Sequence, residues 1–246
     1  MRFSLFFCFI TFIINHNAYA DKASYYDTYD ALLKRHVVRC EEDGTHLSML
    51  DYLSWSQDIR HQTTMNAFAT TNIEALNRNE QLAFWINAHN FFTIDLIITH
   101  YEQDSIMKLG SPFKSVWKTH KWNINGNKYT LHEIKHTILS SFNEPRIHMA
   151  ISCASLSCPN LRAEAYHASA IDAQLEAQTI AFMRNSAKGV IIKESTMEIS
   201  KIFDWHKDDF DGDKGVTQFI IAHLPEAEGK TISGYIDYDW ALNGSW

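Results

Sequence analysis

The sequence predicts an α+β fold: a mainly helical single domain with a small β-sheet and a buried central helix. Three observations carry this. The stretch from about Glu80 to Tyr101 is apolar nearly all round, as a helix enclosed by protein must be. Other segments repeat apolar residues at helical spacing, while short β-compatible runs sit beside turn residues. No repeat, low-complexity tract or linker divides the chain, so one domain is the simplest arrangement.

The elements follow in order. Residues 25–37 put Tyr25, Tyr29, Leu32, Leu33 and Val37 on one helical face, and 45–60 reads as a shorter helical stretch. Asn79, or else Asn77, can cap the long helix that begins near Glu80. Its polar residues Asn87, His89, Asn90 and Asp95 need a reason to be in such a helix. Lys121 to Tyr129 predicts a hairpin turning at Asn125-Gly126-Asn127. A helix over 130–139 follows. Arg146 to Cys153 is apolar on both faces except His148 and Ser152, which suits an inner strand. Residues 170–185, 201–210 and 216–223 read as helices, and 190–193 with 196–200 as a hairpin. Residues 232–246 are aromatic and loop-like.

The chain has 246 residues, enough for a core that needs no disulfide staples. Gly (9) and Pro (4) are too few for collagen-like or Pro/Gly-rich disordered classes. A net charge of −7 lacks the basic footprint of a nucleic-acid binder. Residues 1–20 read as a secretory signal: Arg2, an apolar run from Phe3 to Ile14, then Ala18-Tyr19-Ala20 before Asp21. Phe7 before Cys8 does not fit a lipoprotein site. The expectation is a periplasmic or secreted protein, residues 21–246, with no membrane span. Outside the leader it holds Cys40, Cys153 and Cys158, so three thiols cannot all pair within one chain.

Four groupings could carry chemistry. The first is His148-x4-Cys153-x4-Cys158, with Cys153 entering a Ser-rich turn where a scaffold can present a site. A thiolate needs a neighbouring imidazole or backbone N–H groups, and His136 and His148 are nearest in sequence. Alternation along a regular strand would turn His148 and Cys153 to opposite faces. A Cys–His pair with Asn87 or Asn90 orienting the ring would reproduce papain-like roles. The competing reading is a Cys153–Cys158 disulfide in an oxidising compartment. The second grouping, His132-Glu133-Ile134-Lys135-His136, fits the H-E-x-x-H zinc pattern, although Lys135 is charged where such helices are buried. The third, Asp209, Asp211 and Asp213, resembles a calcium loop but has Lys214 where the glycine belongs. The fourth, Lys201, Asp204, Asp208 and Asp209, has the spacing of surface pairs on a helix.

Two long motifs, Leu82-Ala-Phe-Trp-Ile-Asn-Ala-His-Asn90 and Pro145-Arg-Ile-His-Met-Ala-Ile-Ser-Cys-Ala-Ser-Leu-Ser-Cys-Pro-Asn-Leu-Arg162, closely resemble the DUF547 family, a domain of unknown function. Ile134 to Leu139, Ile199 to Trp205 with Asp209-Phe210, and Tyr238 to Asn243 also look like family segments. The family's A-F-W-I-N-x-Y-N has Tyr where this chain has His89. Its I-E-H-x-I-L matches Ile134 and His136 but not His132, which makes the zinc pattern accidental. The plant-type form C-G-S-x-S-S-P keeps Cys153 and Ser155 and puts Ser at 158. The resemblance therefore favours Cys153 over a disulfide, and implies no reaction by name.

The leading expectation is a cysteine-dependent hydrolase or acyl transferase without cofactor. Cys153 is its nucleophile and His136 its base, with Asn87, Asn90, His148 and Ser155 in support. Trp85, Arg146, Arg162 and Lys201 are the candidate contacts for a small-molecule or peptide substrate. The alternatives are a non-catalytic binding module with a Cys153–Cys158 disulfide, and a zinc hydrolase at His132, Glu133 and His136.

Overall fold

The central helix explains the rest of the architecture. In the computed structural model, which describes residues 24–42 and 45–246, helix α4 runs over Arg78–His100. The expected leader lies outside the described residues. Asn77 caps α4: its side chain accepts the Asn79 and Glu80 N–H groups, while Glu80 accepts from the Asn77 backbone. This reciprocal box satisfies donors that the first turn leaves free. Tyr101, at φ 50, ends the helix in the left-handed conformation. By length and composition α4 could cross a membrane, yet 83% of its most apolar window is buried inside the protein. Phe84, Ile86, Phe91 and Phe92 have no exposed surface, each burial contributing about 1.5–3 kcal/mol.

Around α4 pack α1 (Tyr25–His36), α2 (Tyr52–Ser56) and α3 (Arg60–Thr70). Tyr29 meets Phe91 edge to face at 5.7 Å, and Phe68 contacts both Phe84 and Phe91. The predicted helical stretch over 45–60 is only partly helical. β1 (Val37–Glu42) and β2 (Thr45–Asp51) form an antiparallel pair first, because Leu47 and Met49 alternate with His46 and Ser48 at the strand period. The hairpin β3 (Trp122–Ile124) and β4 (Asn127–Tyr129) is present, with Asn125 and Gly126 both at positive φ. Two such residues are what a two-residue turn between twisted strands requires.

The expected helix over 130–139 begins as α5 (Leu131–Glu133), then widens into a π-helical turn over Ile134–Ile138. The expected strand over 146–153 is a helical turn instead, α6 (Ile147–Ala150). Pro145 stands just before the cap, and its C=O accepts the His148 N–H. Glu144 reinforces the turn by accepting the Arg146 N–H and guanidinium. On this turn Ile147 and Ala150 join the core around α4, while Met149 joins a second core.

That second core is built by α7 (Ile171–Met183), β5 (Val190–Ile192), β6 (Thr196–Ser200), α8 (Lys201–Trp205) and α9 (Gly212–His223). A short 3-10 turn, Lys207–Phe210, joins the last two. The C-terminal stretch is not simply loop: β7 (Thr231–Ile236) adds parallel to β6, and β8 (Gly244–Ser245) pairs parallel with β2. Three small sheets on a helical body make this the predicted mixed α+β single-domain class. Between β7 and β8, residues 239–243 run beside 154–157, bonded through Leu156 N–H to Ala241 C=O, Ser157 N–H to Asp239 C=O and Asn243 N–H to Ala154 C=O. This pairing brings the end of the chain to the cysteine turn.

Candidate functional site

Where the two cores meet there is a pocket of about 370 Å³, within the range of small-molecule sites. Leu131 and Ile151 from the first core and Ile202 from the second form its apolar base. Trp117, Trp205, Tyr238 and Trp240 give it aromatic walls, with Trp205 and Trp240 stacked at 5.8 Å. Five imidazoles line it: His89, His132, His136, His148 and His206.

The polar residues of α4 have separate tasks. Asn87 clamps Tyr166, donating Nδ2 to its carbonyl at 2.8 Å and accepting its N–H at 2.9 Å. Asn90 does the same one helical turn on, donating to Ala150 C=O at 3.0 Å and accepting from Ser152 N–H at 2.8 Å. Neither lines the pocket. Their expected role, orienting the His136 ring, is corrected: each amide instead satisfies buried backbone groups that have no strand or helix partner. Asp95 accepts from the Trp122 indole and pairs with His61. His89 alone turns to the pocket, and its Nδ1 is buried with no partner among the described residues.

The π-helical turn places Lys135 and His136 at the pocket together, with His132 beside His136 at a ring separation of 4.6 Å. Single π-turns within helices occur frequently at functional sites. The zinc reading of this segment meets an obstacle. Glu133 already accepts the Thr130 N–H and hydroxyl, both at 2.8 Å, and so caps its own helix. Lys135 makes no ion pair among the described residues; its Nζ meets His206 Nε2 at 2.9 Å. Desolvation pulls the Lys135 amine down to about 8, with Asp209 opposing. Burial, then the Lys135 charge, lowers His89 to about 3 and His136 to about 4, and lowers His206 as well. These rings are neutral at pH 7, so each keeps a lone pair for a proton or a metal.

Cys153 and Cys158 are joined by a disulfide, with Cα atoms 6.0 Å apart. The expected free nucleophile at 153 is therefore bonded in this structure, as the alternative reading had it. The strand argument against His148 also lapses. With residues 147–150 helical, His148 and Cys153 face the same pocket. Ala154, in the left-handed region at φ 61, makes the turn after the sulfur, a conformation that costs a non-glycine residue about 1 kcal/mol. The Cys153 sulfur meets Ser155 Oγ at 3.2 Å and Tyr238 Oη at 3.1 Å. Burial pushes the Tyr238 phenol up to about 12, so it stays protonated.

The expected substrate contacts lie elsewhere. Trp85 is core, packed on Phe84 and Tyr129. Arg146 is clasped by Glu144, Asp172 and Glu176, Arg162 pairs with Glu164 over the Tyr166 ring, and Lys201 approaches Asp237 at 3.8 Å. None of the four lines the pocket. Reasoning from sequence missed His206, Lys135, Trp205, Tyr238 and Trp240 as site residues. The signal was present for four of them, since Lys135, Trp205, Tyr238 and Trp240 sit in the shorter family-like segments.

One further grouping lies at the pocket edge. Donor atoms of His148, His206 and Asp209 all fall within 4.8 Å of one another. His148 Nε2 and Asp209 Oδ2 are 2.8 Å apart, and the two rings stack at 4.1 Å.

A search of curated proteins and a search of solved structures each return no match. Residues 73–183 match the family model DUF547, described as a protein of unknown function. That span holds α4 with both clamping asparagines, the π-turn with Lys135 and His136, and the turn with His148, Cys153 and Cys158. His206, Tyr238 and Trp240 lie beyond it but complete the same pocket. Both motifs that frame this pocket lie inside the segment that matches the DUF547 family model.

Proposed function

We propose that the chain binds a small molecule or peptide end in this pocket, one with a flat apolar body and an anionic head. The observation that carries the reading is the convergence on one pocket of four aromatic side chains and the Lys135 amine, which has no carboxylate in contact among the described residues. Aromatic walls recognise the body and the amine the head. The unpartnered His89 Nδ1 supplies a further polar contact, since a buried nitrogen without a partner costs free energy that a ligand recovers. The disulfide makes a rigid wall. An exported location, proposed from residues 1–20, is one in which such a bond persists.

The test uses anilinonaphthalene sulfonate, an apolar anion that reports by fluorescence. Native protein should bind one equivalent, and Trp240→Ala and Lys135→Met should each weaken it about tenfold, a loss of about 1.4 kcal/mol. Binding unchanged in both variants, or seen only when near-ultraviolet dichroism is lost, overturns the reading.

A second reading has its own support: Cys153 and His136 line one pocket, with the hydroxyls of Ser155 and Tyr238 against the sulfur. Two-electron reduction of the disulfide by an external dithiol, which leaves with the oxidising equivalents, would free a thiol at Cys153 for cysteine-dependent acyl transfer or hydrolysis; the thiolate charge, absent while the sulfur is bonded, would raise the proton affinity of His136 and make it the base. Reduced protein should then be alkylated at Cys153 with a depressed apparent pKa that His136→Ala abolishes. Labelling at the ordinary thiol pKa in both proteins removes this reading and leaves the first intact.

A further inference from the structure

We propose that His148, His206 and Asp209 form a binding site for one divalent transition-metal ion, of the zinc or cobalt type. The three residues come from two segments, α6 and the turn after α8, that meet only in the folded chain. Their donor atoms already lie within 4.8 Å of one another, so an ion at about 2.0–2.2 Å from each needs only small side-chain rotations. Two imidazoles and a carboxylate are a donor set that suits zinc and its neighbours better than calcium or magnesium.

His148 is 8% exposed, and its Nε2 is the nitrogen turned to Asp209 Oδ2, at 2.8 Å. An ion between the two residues would take that nitrogen, and burial keeps water from competing for it.

Place matters as well. His148 and Lys135 line both the main pocket and a neighbouring cavity of about 600 Å³, which Asp209 also lines, while His206 lines the main pocket. An ion held here would face open space on both sides, leaving coordination positions for water or a ligand atom. This arrangement distinguishes catalytic and ligand-binding metal sites from closed structural ones.

Lys135 provides the sharpest test. In the metal-free chain its amine holds the Nε2 of His206 at 2.9 Å, so it competes with a cation for that nitrogen and repels it by charge. Removing the amine should strengthen metal binding, the opposite of its expected effect on an anionic dye. The two proposals can therefore fail separately.

The experiment titrates the untagged full chain with Zn²⁺ by calorimetry and with Co²⁺ by visible absorption. His100→Ala serves as background throughout, because His100 and His120 meet at 2.7 Å on the surface and are a competing pair. One equivalent should bind with a cobalt d–d band. His206→Gln and Asp209→Asn should weaken binding by more than the roughly 10–100-fold that loss of a supporting residue causes. Lys135→Met should tighten it several-fold, and His132→Gln should leave it unchanged. Folding of each variant is read from near-ultraviolet dichroism. Absence of stoichiometric binding overturns the proposal, as does binding that survives both His206→Gln and Asp209→Asn. Binding lost in His132→Gln instead assigns the metal to the other histidine pair and overturns it too.

Discussion

Replacing Asn90 tests whether α4 sets the geometry of the cysteine turn. The side chain is 3% exposed and makes two hydrogen bonds, to Ala150 C=O at 3.0 Å and from Ser152 N–H at 2.8 Å. Asn90→Ala leaves both backbone groups buried and unpaired. At about 1–3 kcal/mol for each unsatisfied group, the loss is roughly 2–6 kcal/mol. With a urea slope of about 3 kcal/mol/M, the midpoint falls by about 0.7–2 M. Asn90→Asp separates the two bonds. A protonated Asp has the shape of Asn and can both donate and accept, whereas its carboxylate can only accept and turns an oxygen toward Ala150 C=O. Burial raises the folded-state pKa of such a group above its unfolded value of about 3.9. The folded chain then binds more protons than the unfolded one, so stability relative to wild type falls as pH rises from about 4 to 7. Urea titrations of the three proteins at both pH values, followed by tryptophan fluorescence, measure this. A midpoint shift under about 0.3 M for Asn90→Ala, or a deficit in Asn90→Asp that does not change with pH, would refute the assignment of Asn90 to the backbone clamp.

Two further outcomes follow from the same site. Removing the disulfide in Cys153→Ala/Cys158→Ala releases a loop with a sequence separation of 5, for which chain entropy gives about 2 kcal/mol; calorimetry should show a matching fall in Tm, and an unchanged Tm would mean the turn is held by its backbone bonds alone. Acid should unfold the protein early: His89 and His136 have folded-state pKa values lowered to about 3 and about 4, so below about 6.5 the unfolded chain takes up protons that the folded chain refuses, and stability falls as pH falls through that window. His89→Leu should flatten the curve of Tm against pH between 6.5 and 4, and an equally steep curve would show that His89 does not stay neutral on folding.

Local order was legible in the sequence where one element decides it. The burial of α4 followed from its apolar girdle and the hairpin from Asn125-Gly126, while of the two asparagines before α4 it is the alternative, Asn77, and not Asn79 that caps it. Each signal lies within a few residues of the structure it specifies. The segment 146–153 misled because Ile147, Met149 and Ile151 alternate like a strand, while the turn is decided by Pro145 and by Glu144 holding Arg146. Ile147 and Ile151 face the core around α4 while Met149 faces the second core, and a run apolar on both faces has no periodicity to distinguish helix from strand. β1 and β2 were missed for a related reason: their alternation is short and lies between two helices.

The site was harder to read because it belongs to no single segment. Its walls come from α4, the π-turn, the cysteine turn, α8 and the tail beyond β7, and only long-range contacts join them. Sequence spacing brought His136 and Cys153 forward as a pair and left Lys135 as an objection to a zinc helix. In the folded chain that same lysine is the residue around which His206 and His136 are arranged. A charged residue at a buried helical position therefore argued correctly against one chemistry, but was not followed to its other consequence. An amine kept near the start of a π-turn, beside imidazoles that burial holds neutral, costs stability on folding, and a compensating anionic ligand would explain its place. The two proposals differ in what fills the space beside Lys135, and Lys135→Met moves the two binding constants in opposite directions.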